Sequence, residues 1–457
     1  MLQKHSSLRD LISKYCGTAI VATGAVLLAG NASWAAEKAL RLLDSMAVPV
    51  AAGNTTGGMF SFDISFVDHS TGTYYLADRS NKAVDRLDAG GGIVTQIFPN
   101  NGHAPFAGIS PPAFSTTTAG PNGVVAAFPW LFVTDAPSRV LSFDLRFNPP
   151  KTVSECTTKM GDPTRADELA YDPQNGLILA INNASTMPAP FATLIKVDKT
   201  TGALTCGTNI IFDAAHGVDA QNGAEQPVWD PGTKRFYLSI PQIGANPTVG
   251  GVLRIGTGGK VQATYTIPFC SPAGLALGPN DELLVGCNTI WDDHGGLWTG
   301  NADRDTHTAA PQLVILDAIT GAILANVLGA GVGDEVWFNK GDGNYYATGS
   351  GSPFRPLPAA TAKGATPLGV VDAKDQKVLQ QLTTYNVPAG TGHPAGTAHS
   401  VAANAKNNHI FVPLAANTAF SSFAVPGGKP PAPDCETGCI AVYGHPDEDP
   451  GNPQEDD

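Results

Sequence analysis

Charge is scarce in this 457-residue chain: only 15% of residues are Asp, Glu, Lys or Arg, and the 40 acids outnumber the 27 bases for a formal net charge of −13. Such a chain cannot spread a basic surface over a phosphate backbone, so nucleic acid is not expected as a partner. Long apolar runs are also missing. The longest, over residues 18–29, falls short of the roughly 20 residues needed to span a bilayer. There is no Gly-x-Ser-x-Gly, phosphate loop, dinucleotide fingerprint, His-Glu-x-x-His or Cys-x-x-Cys, which removes nucleophilic-serine, nucleotide and zinc-motif chemistry from consideration. What the chain has in quantity is punctuation, with 51 Gly and 36 Pro spread along its length. That excludes a helical bundle or coiled coil, and 42% hydrophobic residues are ample for a core, so a turn-rich, folded, all-β protein is expected.

Lys4, Arg9 and Lys14 precede the apolar run, and Asn31 to Ala35 ends in small residues spaced for cleavage after Ala35. Residues 1–35 therefore read as a signal peptide, giving a periplasmic or secreted protein with no membrane association after cleavage. Removal takes away three basic side chains and Asp10, two net positive charges, so −13 becomes −15. Of the seven cysteines, Cys16 falls in the leader; the other six suit an oxidising compartment. Proximity favours Cys270 with Cys287 around one hairpin and Cys435 with Cys439 around one turn, and Cys156 with Cys206 in successive repeats. The polar, acidic tail 446–457 cannot bury enough surface to order itself, which leaves residues 36–445 as the folded domain.

Six segments, beginning at Asp63, Asp167, Glu225, Ala273, Asp334 and His399, share a short apolar strand, a turn built on Asp, Asn, Gly or Pro, and a second strand rich in Tyr, Leu and Ile; a weaker copy spans residues 124–134. A third and often a fourth strand follow each. Four short antiparallel strands recurring in this way describe a β-propeller, because each small twisted sheet can bury its faces only against its neighbours. Seven four-stranded blades is the expected count, with six as the alternative should the weak copy be an excursion. The last repeat has only three clear strands, and residues 40–50 offer the fourth, so an N-terminal strand is expected to close the ring.

The Asp-Pro hairpins, together with Tyr75 to Val84, resemble the propellers of the senescence-marker/gluconolactonase and NHL/YncE-like group. That resemblance covers most of residues 40–443 and concerns the fold. For the gluconolactonase branch it implies a divalent cation on the channel axis, held by Glu, Asn and Asp and activating water against an ester or lactone.

Aligning the hairpins on their turn residue puts Asp63, Asp167, Glu225, Ala273, Asp334 and His399 in one column and Ile64, Glu168, Gln226, Gly274, Glu335 and Ser400 in the next, where the chain drops into the innermost strand. Around a ring these positions converge on the mouth of the central channel. Crowded carboxylates need a counter-ion or raised pKa values. One reading gives Asp167, Glu168, Glu225, Asp334 and Glu335 a shared calcium, zinc, manganese or magnesium ion, with Glu335 and His399 moving protons. The other makes the acids caps that accept backbone N–H bonds from the neighbouring blade. Asp78, Asn183, Asn288, Trp291 and His393, in loops opening on the same face, are candidate ligand-binding residues, and the loop 289–307 is a candidate lid. Three functions follow: a metal-assisted hydrolase of lactonase or esterase type; a non-catalytic propeller binding a small molecule, glycan or protein on its loop face; or a subunit of a periplasmic redox complex, for which this chain carries no cofactor motif.

Overall fold

Five of the seven inner hairpins are built by one local device. The side-chain oxygen of Asp68, Asp172, Asp230, Asn339 or Asn404 accepts the backbone N–H two residues on, at 2.8, 2.9, 2.8, 3.1 and 3.0 Å, an Asx turn that reverses the chain between two strands. The corresponding residue of the fifth repeat is Gly278, for a reason in the neighbouring blade: a Cβ there would sit 1.7 Å from the Tyr345 hydroxyl. A 3₁₀ turn over Pro279–Asp281 reverses the chain instead.

The computed structural model describes residues 39–445 except 90–91, 159, 161–163, 184–188, 292–294, 297–312, 350–367, 383 and 418–434. The leader, the acidic tail and most of loop 289–307 lie outside the described residues. Within them, seven four-stranded antiparallel blades follow one another. From inner to outer strand, blade 1 is Ser65–Val67, Tyr74–Asp78, Ala83–Leu87 and Val94–Ile97. Blade 2, the weak copy of the sequence, is Val124–Ala127, Trp130–Asp135, Arg139–Asp144 and Lys151–Thr157. Blade 3 is Leu169–Asp172, Leu177–Asn182, Phe191–Val197 and Leu204–Ile211. Blade 4 is Pro227–Asp230, Arg235–Ile240, Val249–Gly256 and Val261–Pro268. Blade 5 is Cys270–Leu277, Glu282–Ile290, Leu313–Asp317 and Ile323–Val327. Blade 6 is Glu335–Asn339, Asn344–Thr348, Leu368–Asp372 and Lys377–Leu382. Blade 7 takes Ala402–Asn404, His409–Leu414 and Cys439–Gly444 from the C-terminal end and Arg41–Ala47 from the other. The count is seven, and the N-terminal strand closes the ring.

Burial falls from the middle of each blade to its rim. Tyr74–Asp78 and Trp130–Asp135 are wholly buried, whereas Leu204–Ile211 is half exposed and Ile323–Val327 mostly exposed. Blade faces meet through large side chains: the Tyr74 ring lies 4.9 Å from that of Phe411 across the seam between blades 1 and 7. Tyr237 and Tyr265 of blade 4 both donate to the Ala318 carbonyl of blade 5, at 2.8 and 3.0 Å. The six cysteines stand in the three expected pairs, with Cα separations of 5.7 Å for Cys156–Cys206, 5.2 Å for Cys270–Cys287 and 4.7 Å for Cys435–Cys439. The first joins the outer strands of blades 2 and 3, and the second the two inner strands of blade 5.

The closing strand is held by pairing that runs from Arg41 opposite Gly444 to Ala47 opposite Cys439. Val48 donates to Gly438 at 2.8 Å, and Gln380 of blade 6 bonds both the N–H and the carbonyl of Leu40, at 3.0 and 2.8 Å. Leu40 and Val48 are buried. Deleting residues 36–50 would bare the Cys439–Gly444 edge and both apolar sites. The truncated protein is expected to melt roughly 10 °C lower or to aggregate; calorimetry showing a midpoint within 2–3 °C of the full chain, about what a single kcal/mol moves, would count against a closing role.

Candidate functional site

The residues ahead of the innermost strands are fixed by their backbones. Asp63, Asp167, Glu225 and Asp334 donate their N–H groups to Ala77, Ile181, Ser239 and Thr348 of the second strands, at 2.9, 2.7, 3.0 and 2.7 Å. Beside them, Ile64 donates to Asn122 of the next blade at 3.2 Å, Gly123 to Asp167 at 2.9 Å, Gln226 to Ala273 at 3.3 Å and Glu335 to His399 at 3.2 Å. Main-chain bonds thus tie blade to blade around the axis, and most side chains in these columns are left over for something else. They gather around a cavity of about 410 Å³, whose lining includes Asp63, Asp167, Glu168, Glu225, Asp334, Glu335 and His399.

Two arginines enter this acidic ring. Arg79, buried, bonds the Asp63 carboxylate, the Phe62 carbonyl at 3.3 Å and Asn122 at 2.8 Å. Arg165 bonds Asp167 at 2.6 Å and the Thr116 carbonyl at 2.9 Å. Burial, the largest single influence, would raise Asp63, but Arg79, His399 and Arg165 together outweigh it, and the carboxyl ends below its ordinary value. Burial would lower His399, yet its contact with Asp63 and the charge of Asp334 raise it. The imidazole Nδ1 lies 2.9 Å from the Thr397 carbonyl, Nε2 lies 3.7 Å from Asp63, and the ring stacks on Phe62 at 5.1 Å.

The remaining acids have less support. Glu225 accepts from the Asn183 amide at 2.9 Å; burial and then the charge of Asp167 push it up to about 8. Glu168 is 7% exposed and its Oε2 has no hydrogen-bond partner among the described residues. Burial first, and then Asp167 and Glu225, raise it well above the carboxylate range.

Glu335 has a different job. It is 1% exposed, accepts from the N–H groups of Ser65 in blade 1 at 3.2 Å and Val401 beside blade 7 at 3.0 Å, and takes the Ser400 hydroxyl as well. The side chain of one blade thereby clasps two others across the closure of the ring. The role of proton carrier or cation ligand for Glu335 gives way to that of a cap, because its oxygens are already used.

The cation reading fares no better for the set as a whole. Among the described residues no three His, Cys, Asp or Glu side chains gather as a metal-ligand group, and Asp63, Asp167 and Glu335 are met by guanidinium, hydroxyl and backbone donors. The donor set therefore does not fit a shared divalent ion. Of the loop residues, Asn288 lines the cavity and Asn183 holds Glu225. His393 stands behind Phe60, stacked on it at 4.0 Å. Asp78 is not at the cavity: it ends a wholly buried strand and accepts from the N–H of Asn81 at 2.9 Å. Trp291 turns aside and donates its indole N–H to Ser271 at 3.3 Å. Arg165, Phe60 and Phe62 were not among the expected site residues; Arg165 lies only two positions before Asp167, a spacing that an alignment on hairpin turns passes over.

The sequence matches no protein-family model, and no curated protein matches it. In fold the chain is similar to one in the crystal structure of a mitotic checkpoint complex, at 9% identity and a TM-score of 0.51, covering 88% of this chain and 93% of that one. The WD40 β-propeller domain of Doa1 superposes at 11% identity and a TM-score of 0.48 over 89% and 97% of the two chains. At 9% identity the first likeness speaks to the propeller fold alone, and it does not favour the senescence-marker or NHL group over other propellers.

Two outcomes follow from the electrostatics. Glu335→Ala strands three buried donors at the ring closure and is expected to cost about 3 kcal/mol in denaturant unfolding; an effect under about 0.5 kcal/mol, the level of an ordinary surface change, would remove the clasp. Asp78 and Asp135, pushed by burial up to about 6, and Glu225, at about 8, keep protons in the folded state that an unfolded chain releases near pH 4. Their stabilisation is complete below that pH and is lost as the pH climbs through 6 to 8. The melting temperature is expected to be higher at pH 5 than at pH 8, with a shallower decline above pH 6 in Glu225→Gln; a flat profile would contradict the buried protons.

Proposed function

We propose that the chain is a non-catalytic binding propeller whose axial cavity takes a small polar ligand from the loop face. The observation that carries this is Glu168: on the lining of a cavity whose other charges are largely paired, a buried carboxyl oxygen has no partner among the described residues. A buried polar group left unmet costs about 1–3 kcal/mol, so a donor supplied from outside would recover it. The volume suits a small molecule rather than a peptide segment. Phe60, half-buried, adds apolar wall.

The hydrolase reading is weaker because the groups it relied on are engaged. Glu335 clasps the ring, and His399 is held by Thr397 and Phe62. Export is part of the proposal: six cysteines in three pairs are what an oxidising compartment favours.

Ala395 lines the cavity and is exposed at its rim, so Ala395→Trp should fill the mouth without touching the core. A thermal-shift panel of neutral, anionic and cationic small polar compounds is expected to yield ligands that raise the melting temperature of the wild type and not of Ala395→Trp. A wild type unmoved by every compound, or ligands that stabilise both proteins alike, would overturn the cavity as the binding site.

A further inference from the structure

The cavity's charge balance goes further than its shape. Six carboxyl groups line it against two guanidiniums and one imidazole. Both guanidiniums are spent on Asp63 and Asp167, and Glu335 is spent on Ser65, Ser400 and Val401. Among the described residues, Glu168 and Glu225 form no ion pair with either guanidinium or with His399. On the same lining stands the half-buried Phe60, an aromatic ring of the type that holds organic cations.

Resting on the ligand-cavity reading above, we infer that the ligand is an organic cation, a protonated amine with a short apolar body, whose N–H groups meet the Glu225 and Glu168 carboxyls while its body lies along Phe60. An anion would meet carboxyls with the guanidiniums already committed. A bare metal ion lacks a three-ligand group among the described residues. A neutral polyol could bond the two carboxyls but could not pair with them as ions. An ammonium can do both.

Binding of this kind is coupled to protons. The groups facing Glu168 and Glu225 are Asp167 and Arg165 beside blade 3, Asp334 and Glu335 at blade 6 and Asp63 ahead of blade 1. Acids outnumber Arg165 there, and burial adds to them, so the two glutamates hold protons when the cavity is empty. An arriving ammonium favours the ionised carboxylate and expels a proton. Affinity should therefore weaken by about tenfold for each pH unit below 8 when one proton is displaced.

Titration calorimetry on the full mature chain tests this with three probes of one shape: benzylamine, benzyl alcohol and benzoate. Benzylamine is expected to bind at least about tenfold more tightly than the other two, and more tightly at pH 8 than at pH 6. Glu168→Gln and Glu225→Gln, each replacing a neutral acid by an isosteric amide, are expected to weaken it by about tenfold or more while melting like the wild type at pH 5. Benzyl alcohol or benzoate binding as well as benzylamine, and lost in Ala395→Trp, would overturn the cationic ligand and leave the cavity reading standing. Benzylamine binding unaltered in both Gln variants, or no binding by any probe, would overturn the cationic ligand outright.

Discussion

A propeller blade cannot bury its two faces alone, and here the last blade cannot even be completed from one end of the chain. Its outer strand, Arg41–Ala47, comes from the N-terminal side and the other three from the C-terminal side. The seam so formed carries the closure of the whole ring, and the structure reinforces it at several radii. Gln380 ties Leu40 at the rim. Tyr74 and Phe411 meet at mid-depth, and at the axis Glu335 gathers Ser65 and Val401 from blades on either side. A buried carboxyl in that position is tolerable because backbone and hydroxyl donors surround it.

The same axial crowding shapes the cavity. Main-chain bonds between neighbouring blades fix the columns of residues ahead of the inner strands, so the side chains there need not do structural work. Two acids are paired with arginines, one becomes a clasp, and burial with neighbouring acids pushes Glu168 and Glu225 up. On the proposed reading, stability and binding would draw on one set of groups: burying neutral carboxyls is cheaper than burying carboxylates, and a carboxyl kept neutral by its surroundings is also one that a cation can ionise.

Much of the fold was legible because the repeat is written in turn chemistry. An Asx turn needs an Asp or Asn at one place, and aligning those residues alone brought Asp63, Asp167, Glu225, Asp334 and His399 to a common mouth. Blade 2 stayed faint because its inner hairpin lacks that residue; Asn122 does its axial work instead, anchoring Arg79. What turn alignment could not show was direction. Asp78 sits at a strand end like its equivalents, yet its carboxyl turns to Asn81 inside the blade. Arg165 reaches the cavity from two residues ahead of Asp167, a place where other aligned repeats carry Ser61, Gly223, Val332 and Thr397. The difference between a cap and a ligand, as for Glu335, depends on which backbone N–H groups lie within reach, and that is settled only when three blades are in place.

Roughly four hundred residues separate Arg41 from its partner Gly444, which sets an order of events. During synthesis the first strand to emerge is the last to find its place, and an extended segment with two apolar anchors must wait, unpaired, while six blades assemble behind it. Such a strand is a temporary edge, open to any other unpaired edge it meets. The ring cannot lock before its C-terminal blade has been made, so closure waits on nearly the whole domain, a delay imposed by topology alone.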